Sequence, residues 1–276
     1  MIEIGIDPVI VTIGSFELRW YGIMVALAVL VGVSVPMILA KREGVGGITR
    51  NQILSIAVWA VPGGVVGSRL LYIIDVWVTT GSPGVIFSGE GATIFGAILG
   101  GTLAAIIAAK VMGISIGRLA NIVALGLPLA QATGRIGCTL NGCCYGKPTS
   151  LPWGVVWTHP NSYAYHDTFL SAVAVHPTQD YELIWDLLVF TMIWLLRKRL
   201  MKRGWTLYLL YISVYSFGRL FISLLRVNEP FLFGLQEAQT ISLLVLVVAV
   251  PLLIYLLRKP TPEPEVASLG GADDIT

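Results

Sequence analysis

The sequence predicts an all-α, polytopic membrane protein: a helical bundle of about seven transmembrane helices with a non-spanning segment on its outer face. The first observation is compositional. Of 276 residues, 55% are hydrophobic and 12% charged, with a mean hydropathy of +0.79. A soluble domain carries about 25% charged residues, so this chain lacks the polar surface to cover itself and must use lipid as solvent. The second is segmental. Stretches near 20–40, 53–75, 92–112, 116–136, 180–196, 204–225 and 236–257 each approach the ~20 apolar residues that cross a bilayer. The third is the placement of Lys and Arg. They follow span one (Lys41, Arg42, Arg50), span three (Lys110, Arg118), span five (Arg197, Lys198, Arg199, Lys202, Arg203) and span seven (Arg258, Lys259). With seven spans these positions share one side, which the positive-inside rule makes cytoplasmic. An even number of spans would split them.

The N-terminus and the connections 76–91, 137–179 and 226–235 then lie outside, as expected of a multi-pass protein of the bacterial inner membrane. The opening residues Met1–Gly5 lack a basic region, so no cleavable signal peptide is expected. Span two contains Pro62, Gly63 and Gly64 and ends with Arg69 and Asp75. Span four runs into Gly134-Arg135-Ile136-Gly137. Such breaks at membrane depth are tolerated where they face protein or a wet cavity. Segment 137–179 is the one sizeable non-spanning region. Its Trp153, Trp157, Tyr163 and Tyr165 suit the headgroup level, and it holds all three histidines. Residues 1–259 are read as one domain and 260–276, polar and acidic, as a disordered cytoplasmic tail. No internal repeat of the transporter kind is found. With a net charge of +2 and no separate basic domain, no nucleic-acid partner is expected.

Several polar residues could carry chemistry. Arg135 sits in Gly134-Arg135-Ile136-Gly137-Cys138-Thr139-Leu140-Asn141-Gly142-Cys143-Cys144-Tyr145-Gly146, where four glycines in thirteen residues let backbone approach a ligand. Its planar fork of donors suits phosphate; it could equally be an anchor that snorkels to the headgroups. Arg219 lies about two turns inside span six. A charge there costs around 2.5–3.5 kcal/mol on insertion scales and calls for a partner or a ligand. The choices are an ion pair with Glu182 or Asp186 of span five, or a ligand role. Arg226, seven residues on and nearer water, reads as an anchor. Arg69 and Asp75 read as interfacial charges or an ion pair. His176-Pro177-Thr178-Gln179-Asp180-Tyr181-Glu182 opens span five, with Thr178 expected as N-cap and His176 left without a structural reason. Cys138, Cys143 and Cys144 lack zinc-finger spacing, and no histidine follows at the right distance. No metal site is expected, and a bridge from Cys138 to one of the other two is compatible with an oxidising exterior.

These motifs resemble those of the bacterial prolipoprotein diacylglyceryl transferases. Arg19-Trp20-Tyr21-Gly22 looks like the family's Arg-Trp-Tyr-Gly, and Gly67-Ser68-Arg69-Leu70 like its Gly-Ala-Arg-Leu. Gly134–Gly137 with Asn141-Gly142 is similar to Gly-Arg-Ile-Gly-Asn-Phe-x-Asn-Gly-Glu. His176–Glu182 looks like His-Pro-Ser/Thr-Gln-x-Tyr-Glu, and Arg219 with Arg226 resembles Arg-x3-Glu-x2-Arg. The motifs occur in family order through nearly the whole span region. Four positions depart: the family Asn is Cys138, its Glu is Cys143, the span-six Glu is Ser223, and the span-three His is Phe95.

The resemblance implies transfer of a diacylglyceryl group from phosphatidylglycerol to the lipobox cysteine thiol of a prolipoprotein, giving a thioether and glycerol phosphate without a cofactor. It implies a phosphatidylglycerol site around Arg135, Arg69, Gly134, Gly137, Asn141, Gly142 and Gly146. Arg219 would meet the departing phosphate, and Tyr21, Glu182 or His176 would orient or deprotonate the thiol. The substrate supplies the nucleophile, so the chain's own thiols are not expected to be required. Two other classes stay open: a non-catalytic or altered-substrate phospholipid-binding paralogue, for which the four departures argue, and a transporter.

Overall fold

A computed structural model describes residues 1–14, 16–43, 47–81 and 93–259; the side chains of 41–43 are not described. The predicted tail 260–276 and most of the predicted connection 76–91 lie outside the described residues. The long helices are α1 (Trp20–Glu43), α2 (Arg50–Thr80), α3 (Ile94–Val111), α4 (Ile116–Ala124), α5 (Leu127–Asn141), α7 (Thr178–Leu200), α8 (Thr206–Leu224) and α9 (Glu237–Arg258). A single turn, α6 (Tyr165–Thr168), and six short strands join them.

Among the described residues, five helices, α1, α2, α3, α8 and α9, are long and apolar enough to cross a membrane. Their outward faces carry exposed side chains such as Leu30, Trp59, Leu99, Phe221 and Val247, the pattern expected where lipid replaces water. The chain is thus a multi-pass helical membrane protein. The predicted fourth and fifth spans are helical but differ from expectation. The fourth is broken into α4 and α5 at Leu125-Gly126. There a Cβ on Gly126 would stand 2.2 Å from the Gly32 carbonyl oxygen, and Pro128 follows in the first turn of α5. The break lets α1 pass close beside α5. The fifth, α7, is 23 residues long, about 34 Å, but carries Glu182 and Asp186. Both are buried against neighbouring helices, at 2% and 1% exposure.

Helices α2 and α3 pack antiparallel, Gly63 against Gly100 and Gly67 against Gly96. Between α2 and α3 there is almost no space: a Cβ on Gly67 would lie 2.4 Å from the Gly96 carbonyl oxygen, and one on Gly100 would lie 2.3 Å from that of Gly63. Small residues at such crossings replace the hydrophobic driving force that lipid cannot supply. Gly137 of α5 passes Met24 and Tyr21 of α1, and Gly218 of α8 accommodates the Trp185 ring of α7.

One end of the bundle is built from non-helical chain. Strand β1 (Ile2–Ile4) runs parallel to β4 (Val155–Trp157), and β2 (Val9–Ile13) pairs antiparallel with β3 (Phe16–Arg19). The terminal ammonium donates to the Pro152 carbonyl at 2.7 Å. A third hairpin joins β5 (Pro230–Leu232) to β6 (Leu235–Gln236). Trp157 was expected at the headgroup level with Trp153, Tyr163 and Tyr165. Instead it is fully buried, and its indole donates to the Thr139 carbonyl at 2.8 Å. It is the core of the cap, whereas Trp153 and Tyr163 are exposed.

Gly67→Leu should therefore destabilise the protein by at least about 1–3 kcal/mol, the cost of overpacking a filled contact. Gly22→Ala, where a Cβ meets nothing within 4 Å, should be neutral. Thermal unfolding in detergent checks both; an unchanged midpoint for Gly67→Leu contradicts the close α2–α3 crossing.

Candidate active site

The site lies where α5, α7 and α8 meet beneath the cap. Glu182, in the second turn of α7, is its hub. Arg219 Nη1 of α8 donates to Glu182 Oε1, Arg226 Nη1 donates to the same oxygen at 3.2 Å, and Arg135 Nη2 of α5 faces Oε2. Three guanidinium groups share the Glu182 carboxylate, so these four side chains carry two positive charges in excess, beside the carboxyl of Asp186. All three are largely buried, with side-chain exposures of 19% for Arg135, 17% for Arg219 and 11% for Arg226. Arg226 Nε has no hydrogen-bond partner among the described residues. Asp186 lies one turn along α7 from Glu182, on the same face. Neither of its oxygens has a hydrogen-bond partner there. Tyr215 of α8, one turn before Arg219, shares the electrostatic field of Arg219, Glu182, Arg135 and Asp186.

Beside the arginines stand the three cysteines, all free thiols. Cys138 is in the last turn of α5, with its sulfur 3.9 Å from Arg135 Nη1. Gly142 ends α5 in the left-handed region at φ 69°, where a Cβ would stand 2.0 Å from Ser162 Oγ. Cys144 takes the same hand at φ 67°, a conformation that costs a side-chain-bearing residue roughly 1–3 kcal/mol and persists where surroundings enforce it. The start of α7 enforces it. Thr178 Oγ1 donates to the Cys144 carbonyl at 2.7 Å and Gln179 Nε2 to that of Cys143 at 3.1 Å. Thr139 Oγ1 donates to Asp180 Oδ1 at 2.7 Å. Thr178 is therefore not the N-cap expected of it. Pro177 occupies that position, and the hydroxyl serves the cysteine turn instead. On the cap, Tyr145 donates to Asp167; burial first, then that bond, pushes its phenol up to about 12.

The fold brings together Arg135, Arg219 and Glu182, as the sequence suggested, and adds Arg226, expected only as an anchor. Its spacing from Arg219 was the available signal, but the bend after α8 that folds it inward was not visible. Tyr21 lies against Gly137, within the field of all three cysteines and Arg135. Gly137, Gly142 and Gly146 are packing glycines here; a Cβ on Gly146 would lie 2.6 Å from the Leu225 carbonyl oxygen. At Gly134 a Cβ would meet nothing within 4 Å, so packing does not demand glycine. Asn141 is buried and accepts from Arg19 at 3.4 Å. Two further residues expected at the site make contacts of their own. His176 places its ring nitrogen 3.2 Å from the Tyr181 hydroxyl, and its backbone pairs with Gly146 and Lys147. Arg69 lies over the Tyr72 ring of its own helix at 5.6 Å.

Fold and site together define a class: a multi-pass membrane protein that buries surplus positive charge at one end of its helices, suited to an anionic ligand. The family model described as prolipoprotein diacylglyceryl transferase matches residues 8–255, and the chain belongs to that family. It is 43% identical over 260 residues to the phosphatidylglycerol–prolipoprotein diacylglyceryl transferase of Dehalococcoides mccartyi strain BAV1, covering 94% of this chain and 97% of that one. Proteins of the same description from Trichormus variabilis and Clostridioides difficile are 37% and 36% identical. Those alignments cover 95% and 92% of this chain, and 93% and 96% of the relatives.

Removing the hub leaves three buried cations without their counterion. Glu182→Gln should cost about 3–5 kcal/mol, the usual penalty for breaking a buried pair from one side. Thermal unfolding of the purified variant tests this; a midpoint equal to wild type would show that the arginines do not depend on Glu182.

Proposed function

We propose that this chain is a phosphatidylglycerol–prolipoprotein diacylglyceryl transferase of the bacterial inner membrane. It moves the diacylglyceryl group of phosphatidylglycerol to a lipobox cysteine thiol and releases glycerol phosphate. The observation that carries the reading is the arginine cluster, which gathers excess positive charge at one end of a helical bundle. The reaction turns a phosphate diester monoanion into a monoester dianion. Cations fixed in a low-dielectric site stabilise the charge that develops on the leaving group.

Each residue then takes a part. Arg135 and Arg219 each present five donors in a planar fork and commit few of them to Glu182. Arg135 holds the phosphatidylglycerol headgroup and Arg219 the departing phosphate, with Arg226 adding charge behind them. Glu182 meets guanidinium on both oxygens, so its part is to position the arginines rather than to take a proton. His176 belongs to the cap, where its ring meets Tyr181. Tyr21, beside the cysteines and Arg135, is the candidate that orients the incoming thiol. Arg69, whose guanidinium lies over the Tyr72 ring, is assigned to the phosphatidylglycerol headgroup region, as the resemblance implies. The cap end faces outward, because the basic residues from Arg197 to Arg203 and at Arg258 and Lys259 gather at the opposite helix ends.

Arg135→Lys and Arg219→Lys keep the charge and lose the fork, and a lysine cannot grip phosphate in bidentate fashion. Each should lower the transfer rate about 10- to 100-fold, the worth of a charge-assisted contact of roughly 1.5–3 kcal/mol. The assay is transfer of labelled diacylglyceryl from phosphatidylglycerol to a lipobox peptide, with melting matched across variants. Near-wild-type rates for both lysine variants contradict the phosphate grip; no transfer by wild type contradicts the transferase reading.

A further inference from the structure

The four departures from the family's polar pattern remove residues that could manage the substrate proton, yet two of them install thiols. Cys138, Cys143 and Cys144 lie far from zinc-finger spacing, but the fold supplies what spacing does not. Their three sulfur atoms all stand within 4.8 Å of one another. Three thiolates on one zinc ion at bonds of about 2.3 Å lie about 3.8 Å apart in tetrahedral geometry, so small side-chain adjustments complete the set. The turn that assembles them is held rather than loose. Gly142 and Cys144 are both left-handed, and Thr178 and Gln179 grip the carbonyls of Cys144 and Cys143. The surroundings suit the charge. Three thiolates on a divalent cation carry one net negative charge. Cys138 touches Arg135, and Cys144 lies in the field of Arg226 and Arg135.

We propose that Cys138, Cys143 and Cys144 form a three-thiolate site for a zinc-class cation, whose open fourth position takes the thiol of the incoming lipobox cysteine. The proposal departs from the expectation drawn from the sequence, that no metal binds and the chain's own thiols are not required. The proposal rests on the transferase reading for its substrate. Chemically it supplies a means of removing the proton from the incoming thiol. A thiol must become thiolate to attack, and coordination to a divalent cation removes the proton outright, here to water at the cap. The metal-bound sulfur then forms its bond to the terminal glyceryl carbon of the lipid as the carbon–oxygen bond to phosphate breaks. The electron pair of that bond leaves on glycerol phosphate, which Arg135 and Arg219 receive. The product thioether, a weak ligand for zinc, departs.

The test uses the full chain in detergent, purified without a metal-affinity tag and under a thiol-free reductant. Metal analysis should find one zinc per chain, reduced or abolished by Cys144→Ser and by Cys143→Ser. Because a serine variant could fail to fold, wild-type protein is also stripped with chelator and refilled with zinc or cobalt(II). Cobalt should show thiolate charge-transfer absorption that changes on adding a lipobox peptide and not its serine counterpart. Stripping should slow transfer at least about thirtyfold at neutral pH, since a free thiol of ordinary acidity is only a few per cent thiolate there, and zinc should restore it. Fully reduced, metal-free protein with normal transfer overturns the site, as does active enzyme carrying a disulfide among the three cysteines. Bound zinc whose removal leaves transfer unchanged overturns its role in activating the thiol. A cobalt spectrum that responds to the peptide, with no transfer under any condition, supports the metal site and sinks the transferase reading instead.

Discussion

The site depends on one arrangement: three guanidinium groups from two helices and the turn beyond α8 drawn onto the single carboxylate of Glu182. Buried cations that close repel one another, and each is costly at membrane depth. One carboxylate offsets only part of that cost and leaves a surplus that an anionic ligand can complete. The pair is therefore weak evidence for stability in itself and stronger evidence for a binding site. Everything nearby serves to keep the arrangement in place. Gly218 lets Trp185 seat α8 against α7, and Thr139 and Asp180 tie α5 to α7.

The cap has a second task. By burying Trp157 and pairing β1 with β4, it ties the first residues of the chain to the segment that follows α5. The start of α7 meanwhile holds the cysteine turn. Arg135 touches both Glu182 and Cys138, so the proposed phosphate grip and the proposed thiol site would adjoin on one side chain. A transfer between lipid and thiol needs these two functions within one bond's reach.

Much of this was legible in sequence. Hydropathy located the long helices, because twenty apolar residues have few other uses. The same window read α4 and α5 as one span. A break at Leu125-Gly126 depends on how closely α1 approaches, which is a tertiary fact. Arg135, Arg219 and Glu182 were found because charge in an apolar segment demands an explanation. Arg226 was misjudged as an anchor, since its inward turn follows from the bridge it makes with Gly146. Thr178 looked like a helix cap, because propensity sees the local chain and not the carbonyl of Cys144 across from it. The cysteines were judged by linear spacing, whereas left-handed turns at Gly142 and Cys144 decide where their sulfurs go.

If the arginine cluster grips the phosphate of phosphatidylglycerol, equilibrium binding of that lipid depends on it. Labelled phosphatidylglycerol is titrated into wild type and into Arg135→Gln and Arg219→Gln variants in nanodiscs of uncharged lipid, with diacylglycerol of the same chains as the control. Each variant should bind phosphatidylglycerol about 10- to 100-fold more weakly while diacylglycerol binding is unchanged. Equal phosphatidylglycerol affinity in wild type and both variants would contradict that grip.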